Sequence, residues 1–402
     1  MASLGSRLLT SGSSCAKGLL KAPLLAAVLP GCTQVANLRS KNDPFPLPPR
    51  EKPFKHRFNC YWQPFESNIP RMNENSIVII VDGNIGTGKK ALAKKIAEEF
   101  DLKYIEDINY DNIYISSKLW GHFDMRDINA CAPNRIMFNS LDTFWATKKL
   151  EDNSLIMKSQ WEMYYYRWNN YVDALKHVVN TGQGVVLSRN LYSDMAFCYA
   201  MLKKKLYNKR VYEEFEAYVD RSFYYLWAPH LAIYLDATPA YCMKKIKERN
   251  VPFEMNSPIL NEDFLALNAE GYEKKVLPKL EPYSEIMVLD ADNLPDFDLL
   301  VEELEKIDFN PFKDTLLRDD KFLHWRHVHE RSWADWRRWA DHPARDLYNR
   351  HPKCLVDIPQ IQFTPEETYV FNDYYRRRDQ YFYTEPQGKG GFPGAVKRFL
   401  LG

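Results

Sequence analysis

Five consecutive apolar, β-branched residues, Ile77 to Val81, stand out along the chain. A run without polar alternation predicts a strand buried on both faces, as in a parallel sheet. Glycines at 83, 86 and 88 follow. Then Leu92, Ile96 and Phe100 recur every four residues, which predicts a helix from Lys89 to Phe100 with one buried face. Further short apolar runs predict strands at Leu102–Ile105, Val185–Leu187, Leu231–Leu235 and Ile286–Leu289. Between them lie helical patterns, the longest from Leu155 to Val179, with Gly182 and Gly184 just beyond its end. Strands alternating with helices predict an α/β fold: a doubly wound parallel five-stranded sheet over residues 76–310.

The flanks follow other patterns. Residues 43–75 are dense in proline, which removes backbone donors and fixes φ, so an extended arm is expected there. It is either laid across another surface or solvated as a linker. Residues 311–402 are rich in Trp, Tyr, Arg and His and broken by Pro343, Pro352, Pro359 and Pro365. They read as a C-terminal extension. Trp333, Trp336 and Trp339 recur at helical spacing, which favours core or protein contact over base stacking.

Composition changes the picture in one place. Across 402 residues, 54 basic and 53 acidic side chains leave a formal net charge of +1, which argues against a nucleic-acid partner. Residues 1–42, however, carry Arg7, Lys17, Lys21, Arg39 and Lys41 and no acid, among many Ser, Leu and Ala. That is the composition of a mitochondrial transit peptide. No segment approaches the roughly 20 apolar residues of a transmembrane helix. The seven cysteines include no Cys-x-x-Cys pair, so neither a zinc site nor a dense disulfide framework is expected.

The strand–glycine–helix context of Gly83, Asn84, Ile85, Gly86, Thr87, Gly88, Lys89 and Lys90 is that of a phosphate-binding loop. Its glycines let backbone amides turn inward on an anion, the helix N-terminus adds partial positive charge, and Lys89 can reach the outer phosphates. A catalytic loop needs Ser or Thr next, because that hydroxyl holds Mg²⁺. Lys90 stands there instead, and an ammonium cannot ligate a cation.

The loop resembles that of the deoxyribonucleoside kinases, and three further segments are similar to that family in the expected order. They are Gln160 to Arg167, Val185 to Asp194, and Tyr234 to Pro239. The resemblance implies that Gln160 reads a base edge, that Arg167 and Asp194 pair beside it, that Glu106 is the general base, and that Arg189 and Arg249 neutralise the phosphoryl group. Read as residues alone, Gln160 and Arg167 are equally polar positions on a helix face. Likewise, Glu106 is a surface acid, Asp194 a helix cap and Arg189 an ion-pair partner. The chain departs from the family at Ser188, where an acid is expected, at Asn190, and in a lid that keeps only Arg249 among lysines. These departures fall at the charge-handling end of the site, so no catalytic residue and no metal is expected. Glu106, Arg189 and Arg249 are then relics.

With its leader and aromatic extension, the chain is similar to the deoxyribonucleoside-kinase-like accessory subunits of mitochondrial respiratory complex I, the NADH:ubiquinone oxidoreductase. That resemblance implies a non-catalytic subunit. Its partners would be the other complex I subunits, and it would sit peripherally on the matrix side of the inner membrane. Its cleft would be suited to a purine nucleotide, whether ATP, ADP or a deoxynucleotide. An active mitochondrial deoxyribonucleoside kinase is the alternative. The resemblance also suggests FAD, but Gly83, Gly86 and Gly88 do not spell the dinucleotide fingerprint Gly-x-Gly-x-x-Gly.

Overall fold

The structure is a computed structural model. It describes residues 7–8, 37–41, 54, 66–116, 123–130, 138, 140–146, 154–206, 208–223, 226–311, 321–341, 364–367, 369–370 and 373. Most of the expected leader, most of the proline-rich arm before residue 66 and the arginine-rich run from Tyr374 to Arg378 lie outside these residues.

The apolar run forms β1 (Val78–Gly83), every residue of which is buried. It is the middle strand of a five-stranded parallel sheet. The others are β2 (Lys103–Ile105), β3 (Val185–Ser188), β4 (Leu231–Asp236) and β5 (Glu285–Asp290), in the spatial order β5-β4-β1-β3-β2. The short strand Arg7–Leu8 adds an antiparallel edge to β5. From β1 the chain moves out to β2 and back to β3, then crosses to the other side for β4 and β5. Such a reversal opens a crevice at the carboxyl ends of the strands beside β1, where ligands of doubly wound sheets bind.

Helices fill the crossovers. Helix α1 (Lys89–Glu99) buries Leu92, Ala93, Ile96 and Ala97, the stripe its four-residue spacing predicts. Next come α2 (Tyr110–Tyr114), α3 (Leu141–Ala146) and the long α4 (Ser154–Thr181). Helix α4 ends at Gly182, whose φ of 73° and contact with the Arg71 carbonyl exclude a Cβ. Beyond β3 lie α5 (Ser193–Lys203) and α6 (Lys209–Ser222), and beyond β4 lie α7 (Pro239–Arg249), α8 (Pro252–Met255) and α9 (Glu262–Gly271). No helix among the described residues is long and apolar enough to cross a membrane.

The C-terminal tryptophans belong to the same hydrophobic core. Trp325, Trp333 and Trp336 are buried, and their rings lie 4.9, 5.3 and 4.7 Å from that of Trp227. The helix that carries the last two spans Glu330–Asp341 and packs on α4, where Trp339 meets Trp168 edge to face. Residues 66–71 tie into the same helix. The Glu330 carboxylate accepts the backbone N–H groups of Asn68 and Ile69 at 2.8 and 2.7 Å, and the buried Arg337 pairs with Glu66 at 2.9 Å. Residues 37–41 are also held: Leu38 is buried, and the Arg39 backbone exchanges two hydrogen bonds with the Asn75 side chain.

His230, just before β4, is fully enclosed; its Nδ1 accepts the Val78 N–H at 3.1 Å. Burial pulls its pKa down to about 3, so it is neutral in the folded chain. In the unfolded chain it takes up a proton below about pH 6.5. Stability should therefore fall as the pH drops from 6.5 toward 4. His230→Asn, which keeps an acceptor in place of Nδ1, should reduce that slope by about 1.4 kcal/mol per pH unit. Urea unfolding at pH 4.5 and 6.5 measures this, and equal slopes would refute it.

Candidate functional site

The loop from β1 to α1 is built on three positive-φ glycines. A Cβ on Gly83 (φ 152°) would meet the Leu235 carbonyl oxygen at 2.7 Å, so β4 presses on the loop from below. Gly86 touches the Cys242 carbonyl of α7, which lies against the loop's crown. Gly88 is the N-cap of α1 and offers no side chain to its amides. Asn84 pins the loop sideways, donating to Leu265 O at 2.7 Å and accepting from Asn268 of α9 at 3.0 Å. At the base, Asp82 accepts from Ser193 and Tyr272 and from the Gly83 N–H. The cradle is thereby fixed before any ligand arrives.

Lys89 sits inside it, its ammonium donating to the carbonyls of Gly83 (3.1 Å) and Asn84 (2.7 Å). Burial, reinforced by the nearby Arg189 guanidinium, lowers its pKa to about 8, with Asp82 and Asp107 pulling the other way. Arg189 lies just after β3 at φ 69°, a strained conformation for a residue with a side chain, and its buried Nε has no hydrogen-bond partner. Lys89 and Arg189 thus bring two cations to the loop, with Asp82 and Asp107 offsetting part of their charge.

Lys90 does not enter the cradle. Its ammonium pairs with Glu106, the expected general base, and both side chains are more than half exposed. The pair raises the Lys90 pKa through that hydrogen bond. The remaining acids go elsewhere. Asp107 accepts from Arg167 at 2.9 and 3.3 Å. Burial pushes its carboxyl up, but Arg167 and Arg189 more than offset this and hold it below the ordinary carboxylate value. Asp194 is fully buried, accepting from Arg167 and, at 2.7 Å, from the Gln160 amide. Gln160, Arg167 and Asp194 are thus brought together on α4 and α5. Ser188 shares a 2.8 Å hydrogen bond with Tyr104, and the Asn190 Oδ1 accepts the Tyr192 N–H. Arg249, at the end of α7, is held by Glu254 at 3.1 Å.

A cleft of about 690 Å³ opens beside α7 at the carboxyl ends of β4 and β5, lined by Asp236, Glu270, Glu273, Asp290 and Asp292. Its acids would repel a polyphosphate, which leaves the glycine loop as the candidate phosphate seat.

Sequence reasoning missed Asp107 as the second partner of Arg167, and it missed Tyr272 and Asn268 as braces of the loop. Asp107 was signalled by its place beside Glu106 after β2. The other two come from α9 and the π-helical segment Tyr272–Val276 that continues it, more than 180 residues from the loop, and no local pattern marks them.

A parallel sheet with this loop at its switch point defines a nucleoside or nucleotide kinase fold of the phosphate-loop class. Residues 79–310 match the deoxynucleoside kinase family, and the chain belongs to it. It is 30% identical over 262 residues to NADH dehydrogenase (ubiquinone) 1 alpha subcomplex subunit 10, mitochondrial, of Rattus norvegicus, a match that covers 64% of this chain and 69% of the relative. The Bos taurus protein of the same name is 29% identical over 264 residues, covering 64% and 72%. A deoxyguanosine kinase of Dictyostelium discoideum is 24% identical over 239 residues, covering 60% and 72%.

Catalysis on this fold implies Mg²⁺, and the residues present do not fit it. The loop hydroxyl is replaced by Lys90, Glu106 is bound to that lysine, and Ser188 offers no carboxylate. No group of three or more His, Cys, Asp or Glu among the described residues is arranged to hold an ion.

Proposed function

We propose that this chain is a non-catalytic accessory subunit of mitochondrial respiratory complex I, NADH:ubiquinone oxidoreductase, peripheral to the matrix face of the inner membrane. Its kinase cleft keeps the shape of a nucleotide seat and has given up turnover. The Lys90–Glu106 ion pair carries this reading. It marks a lysine standing where the metal-holding hydroxyl belongs and engaging the candidate base, and phosphoryl transfer depends almost wholly on positioning and charge. The relatives named as subunit 10 of NADH dehydrogenase, at about 30% identity, support the assignment to the complex.

In this reading residues 1–42 include the import leader, cut upstream of Asn37, which leaves Leu38 in the core and takes away the Arg7–Leu8 edge strand. The arm and the residues beyond Asp341 contact neighbouring subunits. Gln160, Arg167 and Asp194 persist because their network holds α4 to α5, whatever base they once read. The site suits a purine nucleotide and offers FAD no fingerprint.

Mild solubilisation of mitochondria followed by a native gel tests the assignment. The chain should migrate with complex I activity in the megadalton range. A free species near its own mass, or deoxynucleoside phosphorylation by the purified chain at an ordinary enzymatic rate, would overturn it.

A further inference from the structure

We infer that Lys90 substitutes for the divalent ion, so that the cradle binds a nucleoside triphosphate as the metal-free anion. The inference rests on the cleft being a nucleotide seat, as proposed above, and goes beyond it by naming the ionic form bound.

Lys90 is rooted on the second residue of α1, where the metal-holding hydroxyl belongs, and its ammonium ends on Glu106 beyond β2. Its stem therefore spans the mouth between the loop and the end of β2. A divalent ion placed there would meet the Lys90 ammonium in place of the loop hydroxyl, and the one carboxylate at the mouth, Glu106, is already paired with that ammonium.

The charge requirement points the same way. Mg²⁺ neutralises two charges of a triphosphate, and without it the protein must supply them. Lys89 lies within the loop, Arg189 is near enough to act on it and has a buried Nε that lacks an acceptor, and α1 begins with no acid in its first turn and no side-chain cap. Asp82 and Asp107 offset part of this charge, and Lys90 makes up the difference. Its present partner does not prevent this, because an exposed ion pair contributes little and a flexible lysine leaves it readily. The anion would draw the Lys90 ammonium off Glu106 and onto the terminal phosphates.

The test titrates the purified full chain with each of the eight common ribo- and deoxyribonucleoside triphosphates by calorimetry, once with excess Mg²⁺ and once with EDTA. For whichever triphosphate binds, chelation should leave the wild-type Kd unchanged or tighter. Lys90→Ala should weaken EDTA binding by about tenfold or more, the effect of losing one charged hydrogen-bond donor. Lys90→Thr, which restores a hydroxyl, should bind better with Mg²⁺ than with EDTA. Glu106→Gln, which frees the ammonium, should tighten metal-free binding.

A wild-type chain that loses affinity more than about tenfold on chelation, the size of one charged contact, would overturn the inference while leaving the nucleotide seat standing. So would a Lys90→Ala variant that binds as well as wild type, which would make Lys90 an ordinary surface cation. Absence of binding for all eight ligands would remove both the inference and the nucleotide seat. It would leave the complex I assignment to the native gel.

Discussion

Arg167→Met is expected to destabilise the fold by about 3–5 kcal/mol, the usual consequence of removing one partner from a buried ion cluster. Arg167 is 5% exposed and lies between two carboxylates, Asp107 on one side and Asp194 on the other. Met fills much of the same volume, so the loss reports charge and hydrogen bonding more than packing. With the guanidinium gone, Asp194 keeps only the Gln160 amide, at the end of α5 nearest the sheet. Arg167→Lys should recover only part of the loss, because one ammonium cannot serve both Asp107 oxygens and Asp194 together. Adding Asp107→Asn and Asp194→Asn to the Met variant should restore much of the stability, since neutral side chains no longer need the cation.

For Asp107 the pH dependence has a definite sign, whereas burial raises the Asp194 pKa and works against it. Asp107 is held below the ordinary carboxylate value, so its contribution is complete above about pH 4 and is lost as the pH falls through the lower folded value. Urea midpoints at pH 7 and 3 measure both effects. A change below about 1 kcal/mol at pH 7, the scale of an exposed pair, would show that desolvation cancels the pairing.

The second large effect lies far from the loop. Trp227→Ala should cost about 3–5 kcal/mol, in the range of buried Trp deletions. Trp227 is the hub on which the C-terminal segment closes: it meets Trp325, Trp333, Trp336 and His327, and the Trp325 indole N–H donates to the neighbouring Ala228 carbonyl at 2.8 Å. The loss should be local as well as global. Amide exchange in residues 321–341 should accelerate more than exchange in β1 or β4, because the central strands keep their own contacts. Unchanged protection in 321–341 would refute the hub assignment.

The central strands are legible because they are short, apolar runs buried largely on both faces, which leaves no alternation to confuse them, and they lie within a residue or two of the predicted runs. The edge strand β2, exposed at Lys103 and half-buried at Tyr104 and Ile105, is shorter than its predicted run by one residue. The phosphate loop was legible for a similar reason: its chemistry is local, and glycine is required where φ is positive. The Arg167–Asp194 contact is implied by the family resemblance, whereas Asp107 as third member is set by the tertiary structure. Adjacent acids after β2 look alike in sequence, yet in the structure Glu106 faces solvent and Lys90, and Asp107 turns inward to Arg167.

The C-terminal tryptophans show the other limit. Their helical spacing announced a buried stripe, but spacing cannot name the partner surface. Only the fold set them on α4 and Trp227, joining an apparent appendage to the core.

By itself, then, the sequence determined the strand–helix alternation, the loop and the lysine that displaces its hydroxyl. Each depends on residues close together along the chain. The tertiary structure alone decided where that lysine's charge goes, which of two neighbouring acids it neutralises, and how residues 66–71 and 321–341 close over α4. These are contacts between groups distant in sequence, set by the packing of the whole domain.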